Sequence, residues 1–151
     1  MKKLIAILTV AVVVTFTTST ANAFDGISIS NKKVMESFER EFAGAANVTW
    51  YTGAKENYVA KFTIKSSKVT AHFDRDGNLL ATSRYITDSE LPLNVITKLM
   101  KKYPDQNIHN IVEYEAEGST TYMITLESDS HWTTVKATDH SVSTYRKLKK
   151  A

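Results

Sequence analysis

The chain has 151 residues, 42% of them hydrophobic and 23% charged, with five Gly, two Pro and no Cys. This is ordinary globular composition, and it excludes a disulfide scaffold and thiol chemistry. Nineteen basic and sixteen acidic residues leave a formal net charge of +3, too balanced for a nucleic-acid binder.

Residues 1–23 read as an export signal rather than as fold. Lys2 and Lys3 open it, Leu4 to Val14 is an apolar run broken only by Thr9, and a more polar stretch ends in Ala21-Asn22-Ala23. That is the order of a secretory signal peptide with an A-x-A cleavage site. A helix of this apolar length reaches only ~16 Å, against a hydrocarbon core of ~30 Å, so it spans poorly. Cleavage following Ala23 removes two lysines and most of the excess positive charge. The expected product, residues 24–151, is a single domain in the periplasm or outside the cell, with no transmembrane segment.

The remaining chain reads as two copies of one unit, about 31–86 and 92–148. Val34, Phe38 and Phe42 recur as Val95, Leu99 and Tyr103, each 61 positions later. Val48, Trp50, Tyr58, Phe62 and Ala71 recur as Val112, Tyr114, Tyr122, Leu126 and Val135, each 64 later. The three-residue change is expected between the helix and the first strand, where insertions are tolerated.

Each unit opens with an amphipathic helix. Val34, Phe38 and Phe42 make one apolar stripe, with Ser30 or Asn31 as N-cap. In the second unit Pro92 suits the first turn, Val95, Ile96, Leu99, Met100 and Tyr103 form the stripe, and Pro104 stops the helix. The apolar period then changes to two. Tyr58, Ala60, Phe62 and Ile64 make one strand, Val69, Ala71 and Phe73 the next, and Asp76-Gly77 turns into Leu79–Ile86. The second unit predicts strands over Ile111–Ala116, Thr120–Leu126, His131–Ala137 and Val142–Lys147. The fold class is therefore α+β: a tandem repeat of one helix and four antiparallel strands, the halves sharing one sheet with the helices on one face.

The face left bare is expected to carry Thr49, Tyr51, Lys61, Thr63, Lys65, Thr70 and His72. From the second unit it takes Glu113, Glu115, Thr121, Met123, Thr125, Trp132, Thr134 and Lys136. Aromatic and cationic side chains combine contact area with orientation, which suits protein recognition. The expected anchors are Tyr51 and Trp132, with Lys61, His72 and Lys136 orienting the partner and Met123 as a further contact. The competing reading makes Tyr51 and Trp132 plain rim residues.

The strings Phe42-x5-Val48-x-Trp50, Tyr58-x-Ala60-x-Phe62 and Val69-x-Ala71-x-Phe73-Asp74-x2-Gly77-x-Leu79-Leu80 resemble the PepSY-like family, also described as β-lactamase-inhibitor-like. Leu91-Pro92-x2-Val95 and Tyr103-Pro104-x3-Ile108 are similar to that family's second repeat. The resemblance implies a curved antiparallel sheet with helices on its convex side, in proteins exported to Gram-negative envelopes. Relatives of similar shape clasp a protein with the concave sheet face. Those inhibitors staple their halves with disulfides and this chain has no Cys, so a shape for holding a partner transfers but β-lactamase inhibition does not.

No sequence pattern specifies catalysis. His72, His109, His131 and His140 form no HExxH or i, i+4 pair, and no GxSxG elbow fixes a nucleophile. Asp74-x-Asp76-Gly77-Asn78 superficially follows a calcium loop but lies between strands, where a turn is the simpler reading. Glu113, Glu115 and Glu117 alternate along one strand face and form the alternative site, for a cation or small ligand in the hollow of the sheet. Arg146-Lys147-x-Lys149-Lys150 is a basic tail that suits solvation or an anionic surface. The reading is a non-enzymatic module without cofactor, protein-binding or inhibitor-like, whose partner is another exported or envelope protein.

Overall fold

The structure is a computed structural model that describes residues 29–53 and 56–151. The expected signal segment and the cleavage expected after Ala23 lie outside the described residues. Helix α1 (Lys32–Glu41) precedes strands β1 (Ala46–Thr52), β2 (Tyr58–Ile64), β3 (Ser67–Phe73) and β4 (Leu79–Ile86). Helix α2 (Leu93–Lys102) precedes β5 (Asn107–Ala116), β6 (Ser119–Glu127), β7 (His131–Ala137) and β8 (Val142–Lys149). The eight strands form one antiparallel sheet in chain order, so every strand pairs with its sequence neighbours. No described helix is long and apolar enough to cross a membrane.

Local chemistry sets the helix ends. The Asn31 side chain accepts a hydrogen bond from the Val34 N–H at 3.3 Å, satisfying one of the free donors of the first turn of α1. Pro92 stands at the N-cap of α2, one residue before the first turn expected for it. Each helix buries its stripe on its own four strands. Val34 and Phe38 pack with Ala60, Phe62, Val69, Ala71 and Phe73, while Val95 and Leu99 pack with Ile111, Ile124, Leu126 and Val135. Two cores thus sit side by side under one sheet, and the β4–β5 pairing joins them.

The repeat is closer than the sequence matching implies, and its phase differs from the one expected. Trp50 pairs with Ala60, and Ile111 pairs with Ile124. Ala46 pairs with Thr63, and Asn107 with Glu127. Each first strand also carries a bulge at the same place, between Ala46 and Thr49 and between Ile108 and Asn110. The structural counterpart of Trp50 is therefore Ile111, 61 positions on, and not Tyr114. The offset changes later, in the β5–β6 hairpin, which is three residues longer than β1–β2. Three is an odd number, and an odd slip moves every side chain of a strand to the opposite face.

The turn after β3 is also wider than Asp76-Gly77 alone. It runs over Asp74–Asn78, closed by the Asp74 N–H donating to the Asn78 carbonyl at 3.1 Å. One carboxylate oxygen of Asp74 accepts from the Asp76 and Asn78 N–H groups, each at 2.9 Å, and the other accepts from Asn78 Nδ2 at 2.8 Å. The Asn78 side-chain and backbone hydrogen bonds hold the Asp74 carboxyl below its ordinary pKa. That carboxylate closes its own loop, which accounts for the calcium-like spacing.

Candidate partner-binding face

Ala60, Phe62, Val69, Ala71 and Phe73 point toward α1, so the alternate residues of β2 and β3 point away from both helices. Thr133, Val135 and Ala137 likewise point toward the helix side and leave Trp132, Thr134 and Lys136 on the other. The bare face has a hollow of about 860 Å³ whose lining extends from Asn47 and Thr49 of β1 to Tyr145 and Arg146 of β8. Because the two edge strands line one hollow, the sheet is curved with its open side concave.

Register pairing places the expected site residues. Tyr51, Val59, His72 and Ala81 form one row across β1 to β4. In the next row Lys61 lies beside Thr49 and Thr70. Its ammonium stands 5.0 Å from the centre of the Tyr51 ring, a cation–π contact. His72 is half-buried, and burial pulls its imidazole pKa below the ordinary value. Met123 lies between Val112 and Lys136 on neighbouring strands.

Trp132 is on the open side but stands at one end of it, beyond the hollow. His109 meets its ring edge-on at 4.8 Å between centroids, and Lys150 Nζ lies 4.6 Å from the ring centre. Lys150 also donates to Glu127 at 2.6 Å, and this hydrogen bond holds the Glu127 carboxyl below its usual range. The Lys150 N–H donates to the Ser130 carbonyl at 2.9 Å. The end of the basic tail is therefore folded back along Trp132. The expected set is thus divided: Tyr51, Lys61 and His72 share the first half, Met123 and Lys136 adjoin in the second, and Trp132 forms a separate cluster.

The carboxylate row falls on the wrong side for the alternative site. Glu113 pairs with Arg84 and Tyr122, and Glu115 pairs with Thr82 and Thr120; both alternate with the open-face residues Val112 and Tyr114. The three-residue phase shift is the reason. Glu113 accepts a hydrogen bond from Arg84 Nε at 2.8 Å, and Arg84 also reaches Glu90 at 3.2 Å, tying the seam between the halves on the helix side. Glu117 lies in the β5–β6 turn with φ of 52°. Among the described residues no three His or acidic side chains converge as metal ligands.

Three residues that sequence matching had placed on the covered side or left out also belong to this face. Val112 and Tyr114 of β5 line the hollow, with Tyr85 of β4 beside Val112. Tyr85 is 69% exposed, a large aromatic group covered by nothing in the fold. Its signal in the sequence was the alternation of Ala81, Ser83 and Tyr85 against the buried Ile86.

No protein-family model matches the sequence, and no curated protein is similar to it. Solved structures do match in fold. A BLIP-like protein from Bacteroides fragilis superposes with a TM-score of 0.67 at 19% identity, over 82% of this chain and 89% of that one. A DUF2874 family protein from Bacteroides ovatus gives 0.69 at 15% identity, over 82% and 89%. A protein from Bacteroides eggerthii, provisionally assigned to the periplasm, gives 0.67 at 16% identity, over 81% and 90%. The fold expected from the β-lactamase-inhibitor-like resemblance is therefore the fold of this chain.

Proposed function

We propose that the chain is an exported, non-enzymatic binding module that captures another envelope protein in the hollow of its sheet. One observation carries this reading: eight strands build a concave surface that neither helix covers, and its floor holds large side chains such as Tyr85, Tyr114 and Met123. An uncovered patch of this kind has chemistry that suits a protein-interaction surface. Support for export comes from the signal-like order of residues 1–23. The structural likeness to a protein provisionally assigned to the periplasm agrees with that compartment.

Two variants test it. Met123→Asp places a charge in the floor of the hollow, and Trp132→Ala removes the ring at its end. Both are expected to melt within a few degrees of wild type, since neither residue belongs to a buried core. In pull-downs from native envelope extract, Met123→Asp should lose the captured protein and Trp132→Ala should weaken its capture. A captured set unchanged by both substitutions sinks the reading. Collapse of the near-UV CD signal in Trp132→Ala would make that residue structural and remove it from the site.

A further inference from the structure

The open face is cationic as well as bare. Lys61, Lys68 and Arg146 line the hollow and Lys136 stands next to Met123, while none of the described lining residues is Asp or Glu. None of these four cations has an acidic partner among the described residues. Glu127, opposite Trp132 at the end of this side and outside the hollow, is taken up by Lys150. A chain whose charges nearly balance has thus sorted them, leaving one concave surface with positive charge alone.

The cations are also placed in order. Tyr85 pairs with Val112, Val112 with Met123, and Met123 with Lys136. One step beyond the Val69–Arg84 pair, Lys68 comes beside Tyr85. A single row therefore crosses the sheet from β3 to β7 as Lys68, Tyr85, Val112, Met123 and Lys136. Its ends are ammonium groups and its middle is apolar. Four strand intervals of ~4.8 Å put the backbones of the two lysines about 19 Å apart along the sheet, a span of about six residues of extended chain at ~3.3 Å each.

Resting on the reading that this face is the docking surface, we infer that its occupant is an extended acidic segment of a partner protein. The segment lies across the strands with two carboxylates about six residues apart and apolar side chains between them. The carboxylates meet Lys68 and Lys136, while the side chains between them cover Tyr85, Val112 and Met123. A polyanionic glycan or lipid surface would present charge along the whole span and gain nothing from that middle. Field complementarity of this kind speeds association and selects partners, and salt weakens it.

Selection of random twelve-residue peptides on the immobilised protein tests this, with the double variant Lys68→Glu/Lys136→Glu as counter-target. Enriched peptides should carry Asp or Glu five to seven positions apart around apolar residues. They should bind wild type at least tenfold more tightly than the double variant, and lose affinity on raising salt from 50 to 300 mM. Lys68→Met/Lys136→Met should fall between the two, and thermal melts of both variants check folding. An acid-free enriched set, equal binding to the charge-reversed protein, or tighter binding to phosphatidylglycerol vesicles than to any peptide overturns the inference. If acid-free peptides bind and Met123→Asp abolishes them, this inference falls while the docking face stands. If no peptide is enriched, or Met123→Asp changes nothing, both fall.

Discussion

The two halves of the sheet share one plan and fill it differently. Under α1 the Phe38 ring meets Phe42, Trp50, Phe62 and Phe73 at centroid distances of 5.1 to 6.3 Å. Under α2 the same positions hold Tyr103, Leu99, Ile111, Leu126 and Ala137, a mainly aliphatic core. The exchange is reciprocal. Where the first half has Ala60 and Ala71 beneath its rings, the second has Ile124 and Val135. Volume lost at one position returns at a neighbour, which is how a close-packed interior keeps its backbone while its side chains change.

This comparison predicts unequal responses to matched truncations. Phe38→Ala removes the hub of the aromatic cluster and should cost about 4–5 kcal/mol, the upper end for a core Phe, because its loss opens a gap among four rings. Leu99→Ala, its counterpart, should cost about 3 kcal/mol, since branched neighbours such as Ile96 and Val135 can settle into the space. Urea unfolding of both variants measures the difference. Equal losses would mean that the two cores are equally stiff and that ring packing adds nothing here.

The loops that return under each helix offer a second contrast. In the first half Gly77 has φ of 87°, and a Cβ there would lie 2.7 Å from the Lys33 carbonyl oxygen in α1. Backbone meets backbone at that point. Helix side chains reach both loops: Asn31 Nδ2 donates to the Arg75 carbonyl at 2.8 Å in the first half, and Asn94 Nδ2 and Lys98 Nζ donate to the Asp139 carbonyl at 3.0 and 2.7 Å in the second. Gly77→Ala should therefore cost about 3 kcal/mol, from left-handed backbone strain and a clash that only movement of α1 relieves. Gly118→Ala is the control. Its φ is 71° but no atom lies within 4 Å of the added Cβ, so about 1 kcal/mol is expected. The β2–β3 turn supports the smaller value, since Lys65 and Ser66 already adopt positive φ there.

Where a face was single-sided, the sequence was readable. β2, β3, β6 and β7 alternate between buried, mainly apolar residues and outward ones, so the sequence alone places Lys61, His72, Met123, Trp132 and Lys136 on the correct side. β5 was not readable, because it is apolar on both faces: Ile111 faces the core while Val112 and Tyr114 floor the hollow. Matching Val48-x-Trp50 to Val112-x-Tyr114 satisfied composition and missed phase. The three extra residues fall in the β5–β6 hairpin, so the helix offset of 61 persists through β5, and Ile111 rather than Tyr114 takes the place of Trp50. The error carried Glu113 and Glu115 to the wrong face and hid the aromatic floor. An apolar run on both sides of a strand was itself a sign that the open face needs apolar side chains.

The smallest contrast between the halves is a single atom. Val69 and Thr133 are counterparts, both buried beneath their helices. The Thr133 side-chain oxygen is buried with no hydrogen-bond partner among the described residues. A hydroxyl left unpaired in an apolar interior forfeits its hydrogen bonds to water, whereas a methyl group in its place costs nothing of that kind. Thr133→Val, which copies the first half into the second at constant shape, should raise stability by about 1 kcal/mol in urea unfolding. The reverse change, Val69→Thr, should lower it by a similar amount, because it buries the same unpaired group under α1. Loss of stability in Thr133→Val would mean that the hydroxyl is engaged in the folded protein. The second core would then be polar at a position where the first is dry.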